Sequence, residues 1–111
     1  MNAPEATQIV TLLTTTTSKE EASRIARVLV SERLAACANI IPGISSVYRW
    51  NEEVQEEKEA MLVIKTTVDQ VDALEARVVE LHSYDVPELL AIPVVGGHQP
   101  YITWVDSEVE V

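Results

Sequence analysis

Three stretches of this chain carry apolar side chains at adjacent positions, where a half-buried strand would carry them at alternate ones. They are Ile9, Val10, Leu12 and Leu13; Met61 to Ile64; and Leu89, Leu90, Ile92, Val94 and Val95. A strand points successive side chains to opposite faces, so a sheet built from these stretches is apolar on both sides. Any helices that cover one side leave the other in need of a partner. Leaving several such side chains in water forfeits several kcal/mol at roughly 25 cal/mol per Å², comparable to the whole stability of a small domain. Self-association is the favoured way to cover that face, and a face that binds a ligand is the alternative.

The first strand is read over Gln8 to Thr15, with Thr14 to Thr17 as its end and turn. Ser18 followed by Glu21 forms a capping box, in which the hydroxyl accepts from the Glu21 amide and the carboxylate reaches back to the Ser18 amide. The helix that starts there runs to about Leu34, with Ala22, Ile25, Ala26, Leu29 and Arg33 on one face. Cys37 to Trp50 and Val54 to Thr67 are strands that meet at Asn51 to Glu53, with a bulge or bend at Pro42-Gly43. These hairpin arms are longer than the usual strand of about five or six residues, so their tips, around Tyr48 to Val54, overhang the subunit. Thr67 and Gln70 offer a second capping box before Val71, Leu74, Val78 and Leu81, the stripe of a helix that ends near His82. Leu89 to Val95 is the last main strand, and Tyr101 to Val105 is either a short closing helix or an edge strand. The order strand, helix, strand, strand, helix, strand is the α+β split βαββαβ arrangement, an antiparallel sheet with both helices on one face. Residues 1–111 make one domain, with the ends, about 1–7 and 107–111, expected to be loose.

Eighteen acidic residues against eight basic ones leave a formal charge of −10, a field that repels phosphate backbones and argues against nucleic acid as a partner. No apolar run approaches the roughly 20 residues of a membrane-spanning helix, and Met1 to Gln8 lacks the features of a secretory signal. The lone cysteine, Cys37, cannot form an internal disulfide, which suits a reducing compartment; the expectation is cytoplasmic.

The residues offer no catalytic constellation: no Gly-rich phosphate loop, no paired-cysteine motif and no serine elbow, so an enzyme is not expected. If there were one, Glu88, Tyr84 and Lys65 would be the group to change first. Thr14 to Thr17 beside a helix N-terminus could attract an anion, although a hydroxyl-rich strand end is the commoner meaning. Cys37, among alanines, reads as a small buried hydrophobe or as a soft-metal ligand. His82 precedes a turn carrying Tyr84, Asp85 and Glu88; imidazole and carboxylates can bind a divalent metal, and a cap on the helix C-terminus is the equal alternative. Tyr48, Trp50, Tyr84, Tyr101 and Trp104 are read as anchors at subunit contacts or in a cleft.

Taken in order, Ser18-Lys-Glu-Glu-Ala22, Leu34-Ala-Ala-Cys-Ala-Asn39, Ile41-Pro-Gly-Ile44, Tyr48-Arg-Trp50, Met61-Leu-Val-Ile-Lys-Thr66, Leu81-His-Ser-Tyr-Asp-Val-Pro-Glu88 and Tyr101-Ile-Thr-Trp104 resemble the CutA family of divalent-cation tolerance proteins. The blocks span nearly the whole chain. The resemblance implies a ferredoxin-like subunit in a homotrimer, similar in architecture to the PII signal-transduction proteins. It also implies binding of Cu(II) or another divalent cation, with no organic cofactor, and by motif the positions where metal would act are His82, Glu88 and Cys37. A PII-like signalling role, with a small metabolite or protein partner in clefts between subunits, is the alternative function. Three departures are visible: some members carry an additional cysteine where this chain has Thr14 to Thr17, Ser83 stands where proline usually follows the histidine, and Asn51-Glu52 replaces the usual glycine-containing hairpin turn.

Overall fold

The computed structural model describes residues 7–109. Its elements are β1 (Ile9–Thr16), α1 (Lys19–Ser31), β2 (Cys37–Trp50), β3 (Glu53–Thr67), a 3-10 turn (Val68–Gln70), α2 (Val71–Leu81), β4 (Leu90–Pro93) and α3 (Gln99–Glu108). The four strands form one antiparallel sheet in the order β2-β3-β1-β4. This is the α+β split arrangement read from the sequence, with the last segment resolved as a helix.

The alternation along β1 divides the sheet cleanly. Val10 and Leu12, with Leu62 and Ile64 beside them, face α1 and α2 and pack with Ala22, Ile25, Leu29, Leu74 and Val78 into the main core. Ile9, Thr11 and Leu13 face the other way, beside Lys65 and Val63 of β3 and Ile92 and Leu90 of β4. That second face is not wholly bare, as the sequence reading had it. α3 lies across one end, where Val105 and Val109 are buried with Ile9 and Ala36, and Ile102 and Val94 pack alongside. The rest is open: Ile41, Leu90 and Ile92 remain exposed, and so do Tyr101 and Trp104 on α3.

The hairpin β2–β3 outreaches the sheet. β1 pairs β3 only from Ala60 to Thr67, so Ile44–Trp50 and Glu53–Glu59 project as a two-stranded arm beyond the register shift at Ile41/Ile44. Gly43, at φ 68, supplies the bend that the shift requires. The arm's turn places both Asn51 and Glu52 at positive φ (50 and 64), as a type I′ hairpin turn demands. The arm stretches the molecule: its radius of gyration is 15.1 Å, against roughly 13 Å for a compact domain of this length.

Several local readings change: Thr67 makes no side-chain cap hydrogen bond, so the second capping box does not form, and β4 is shorter than the predicted Leu89 to Val95. β1 continues to Thr16, so the threonines belong to the strand and only Thr17 and Ser18 turn. The capping box is half formed: the Glu21 amide donates to Ser18 Oγ at 3.1 Å, but the carboxylate goes to Thr17 instead of the Ser18 amide. α1 ends at Ser31, and Arg33 is exposed instead of lying on the packed face. Arg33 takes φ 61 while its amide donates to Val30 O and that of Leu34 to Leu29 O. These are the two bonds of a Schellman motif, with arginine at the position glycine usually fills. At the ends, residues 1–6 and 110–111 lie outside the described residues, while Ser107 and Glu108 belong to α3.

Candidate functional site

β1, the start of α1, the end of α2 and the base of the arm converge on a cluster of polar side chains. His82, immediately after α2, is buried at 9% exposure. Its Nε2 lies 2.7 Å from the Thr15 carbonyl oxygen, and its Nδ1 accepts from the Tyr84 amide at 3.0 Å. A carbonyl only accepts, so the tautomer with the proton on Nε2 satisfies both contacts. The Tyr84 ring leans against the imidazole with centroids 4.8 Å apart, and its hydroxyl donates to Glu59 Oε2 at 2.6 Å. Burial first, and then the Glu59 carboxylate, hold the Tyr84 phenol well above the usual tyrosine range.

Glu21 joins the same cluster from α1. One carboxylate oxygen accepts from the Thr17 amide and hydroxyl, both at 3.0 Å, and the other from the Ser83 amide at 2.8 Å. Burial pushes its pKa up, but the bonds from Ser83 and Thr17 outweigh it and bring the carboxyl down to about 2. The chain after α2 is thereby held at Ser83 by α1, at His82 by β1 and at Tyr84 by β3. Glu21 and Glu59 were not singled out as site residues in the sequence; the capping box marked Glu21 as a helix-end residue, and nothing local marks Glu59 off from the other glutamates of the arm.

The remaining candidates lie elsewhere. Cys37 opens β2 on the α3 side of the sheet, half-buried, with Sγ 3.9 Å from Asn39 Oδ1; the Lys65 ammonium donates to that same oxygen. Tyr101 of α3 reaches this corner, and burial first, then Cys37 beside it, raises its phenol above the ordinary range. Trp104 stacks obliquely on Tyr101 at 5.7 Å. Tyr48 and Trp50 lie on the projecting arm, and Glu88 is exposed in the segment between α2 and β4. Cys37 pairs with Lys65 and Thr15 with Met61, four positions apart along β3. That places Cys37 more than about 13 Å from the strand end that His82 contacts, at roughly 3.3 Å per residue. Among the described residues no group of three or more His, Cys, Asp or Glu is placed to hold a metal ion. The described donors of one chain therefore do not by themselves form a ligand set for a divalent cation.

Comparison with known proteins places this architecture. A family model described as CutA1 divalent ion tolerance protein matches residues 10–108. The divalent-cation tolerance protein CutA of Thermus thermophilus is 48% identical over 94 residues, 85% of this chain and 91% of that protein. The chloroplastic protein CutA 1 of Oryza sativa is 46% identical over 93 residues, 84% of this chain but 52% of the relative, so the chain spans about half the length of that plant protein. The crystal structure of CutA1 from Oryza sativa superposes with a TM-score of 0.91 at 41% identity, covering 95% of this chain and 96% of that one. The structure of a CutA from Archaeoglobus fulgidus, described as a periplasmic divalent cation tolerance protein, gives 0.89 at 34%, covering 92% and 99%.

These names overturn the cytoplasmic expectation. Relatives of Oryza sativa and Arabidopsis thaliana are named chloroplastic and the Archaeoglobus protein periplasmic. A single unpaired cysteine needs no disulfide and is compatible with either redox environment, so it does not select a compartment. No helix among the described residues is long and apolar enough to cross a membrane. The relatives of Thermus thermophilus and Pectobacterium atrosepticum and the Archaeoglobus fulgidus structure are named for tolerance of divalent cations, not for a reaction, and none of the names supports the PII-like signalling alternative. Matched over residues 10–108 and folded as its relatives fold, the chain belongs to the CutA1 family of divalent ion tolerance proteins.

Proposed function

We propose that this protein binds divalent cations, Cu(II) among them, as part of the cell's response to them, and does so as a homotrimer. Family membership over residues 10–108 is the observation that carries the cation reading. The trimer is supported by the open part of the second sheet face, where Ile41, Leu90 and Ile92 lie exposed near Tyr101 and Trp104, and by Val47, Trp50 and Val54 on the arm. Apolar side chains in that number favour burial against further copies of the chain.

In this reading the cation is held at a subunit boundary, because Cys37 stands apart from His82 and no three His, Cys, Asp or Glu side chains gather as a ligand group among the described residues. Glu88 is exposed and free to turn toward a neighbour. His82 joins only by giving up its bond to Thr15 or to Tyr84, and Cys37 contributes from the α3 side of an adjoining subunit. Copper titration by calorimetry on wild type, His82→Ala, Glu88→Gln and Cys37→Ser tests the assignment. Loss of affinity is expected in each variant; affinity and stoichiometry equal to wild type in all three would remove these residues from the site. Sedimentation of Ile92→Lys alongside is expected to shift the trimer toward smaller species, and an unchanged trimer would exclude this face from the contact.

A further inference from the structure

We draw no further inference here: the strongest candidate, the cleft of about 190 Å³ where Thr17, Ser18 and Lys19 at the start of α1 face Pro42, Gly43 and Lys58, is a helix N-terminus flanked by two surface lysines, and no second observation at the site points to a ligand.

Discussion

The carboxylate of Glu21 and the amide of Ser83, 62 residues apart in the chain, meet at 2.8 Å and tie the start of α1 to the segment that leaves α2. With the Thr17 amide and hydroxyl on its other oxygen, this carboxylate is charged, buried and satisfied. Its pKa of about 2 lies below the ordinary 4.5, so the folded state binds the ionised form preferentially. The stabilisation is present above the ordinary carboxylate pKa and is lost as pH falls from about 5 toward 2. Glu21→Gln is expected to lower stability at pH 7 by about 2–3 kcal/mol and to flatten the acid limb of stability against pH, read from urea unfolding. A variant as acid-sensitive as wild type would show that another group governs that limb.

Tyr84→Phe removes the donor that reaches Glu59 Oε2 at 2.6 Å and leaves a carboxylate that is only 9% exposed short of that partner. Loss of about 1–2 kcal/mol is expected, within the range for unpairing a buried acceptor. Ultraviolet titration of the wild type should show the Tyr84 phenol as the component ionising farthest above the usual range, and that component should be absent in the variant. Because its folded-state pKa is raised, this group's contribution holds below pH 10 and declines as pH rises beyond it. Equal stability of both proteins at pH 7 and pH 10.5 would contradict the assignment.

Arg33 combines an unfavourable backbone with a useful side chain. At φ 61 it carries a left-handed conformation that costs a non-glycine residue roughly 1–2 kcal/mol. Its guanidinium donates to the carbonyls of Ser107 and Glu108, both at 3.0 Å, at the C-terminal end of α3. Arg33→Ala keeps the strain and loses the bonds; Arg33→Gly loses both. The glycine variant is expected to be about 1 kcal/mol more stable than the alanine one. Both should show faster amide exchange in α3 than wild type. Unchanged exchange there would mean that Val105 and Val109 alone hold the helix.

The arm turn offers a gain. Glu52 sits at φ 64 in a two-residue turn that prefers glycine at this position. Glu52→Gly relieves that conformation while adding freedom to the unfolded chain, with an expected net gain of about 0.5–1 kcal/mol in thermal or urea unfolding. A lower midpoint would indicate that the Glu52 side chain makes contacts worth more than the strain.

Much of the fold was legible because it rests on local chemistry. Ser18 before an amphipathic stripe starts α1 where the hydroxyl can cap it, and Pro42-Gly43 bends β2 where the register does shift. The error at Arg33 has a plain origin. Helical spacing continued past Ser31 on paper, but the chain leaves the helix there through a left-handed residue that the pattern of apolar positions does not report. Over Tyr101 to Val105 five residues cannot separate the two periods; docking of Val105 and Val109 onto Ile9 and Ala36 resolves the segment as helix.

The candidate site was the less legible part. His82 was identifiable as a residue, but both its nitrogens are used by partners, Thr15 and the Tyr84 amide, that the sequence does not place beside it. By itself the sequence determined the order of strands and helices, the two-sided apolar sheet and the family, since these follow from side-chain periodicity and motifs read along one chain. Only the tertiary structure decided that α3 covers part of the second face, that Glu21, Glu59, His82 and Tyr84 form one network, and that Cys37 stands apart from it. Those relations join residues brought together by packing, and distance in space is not written in distance along the chain.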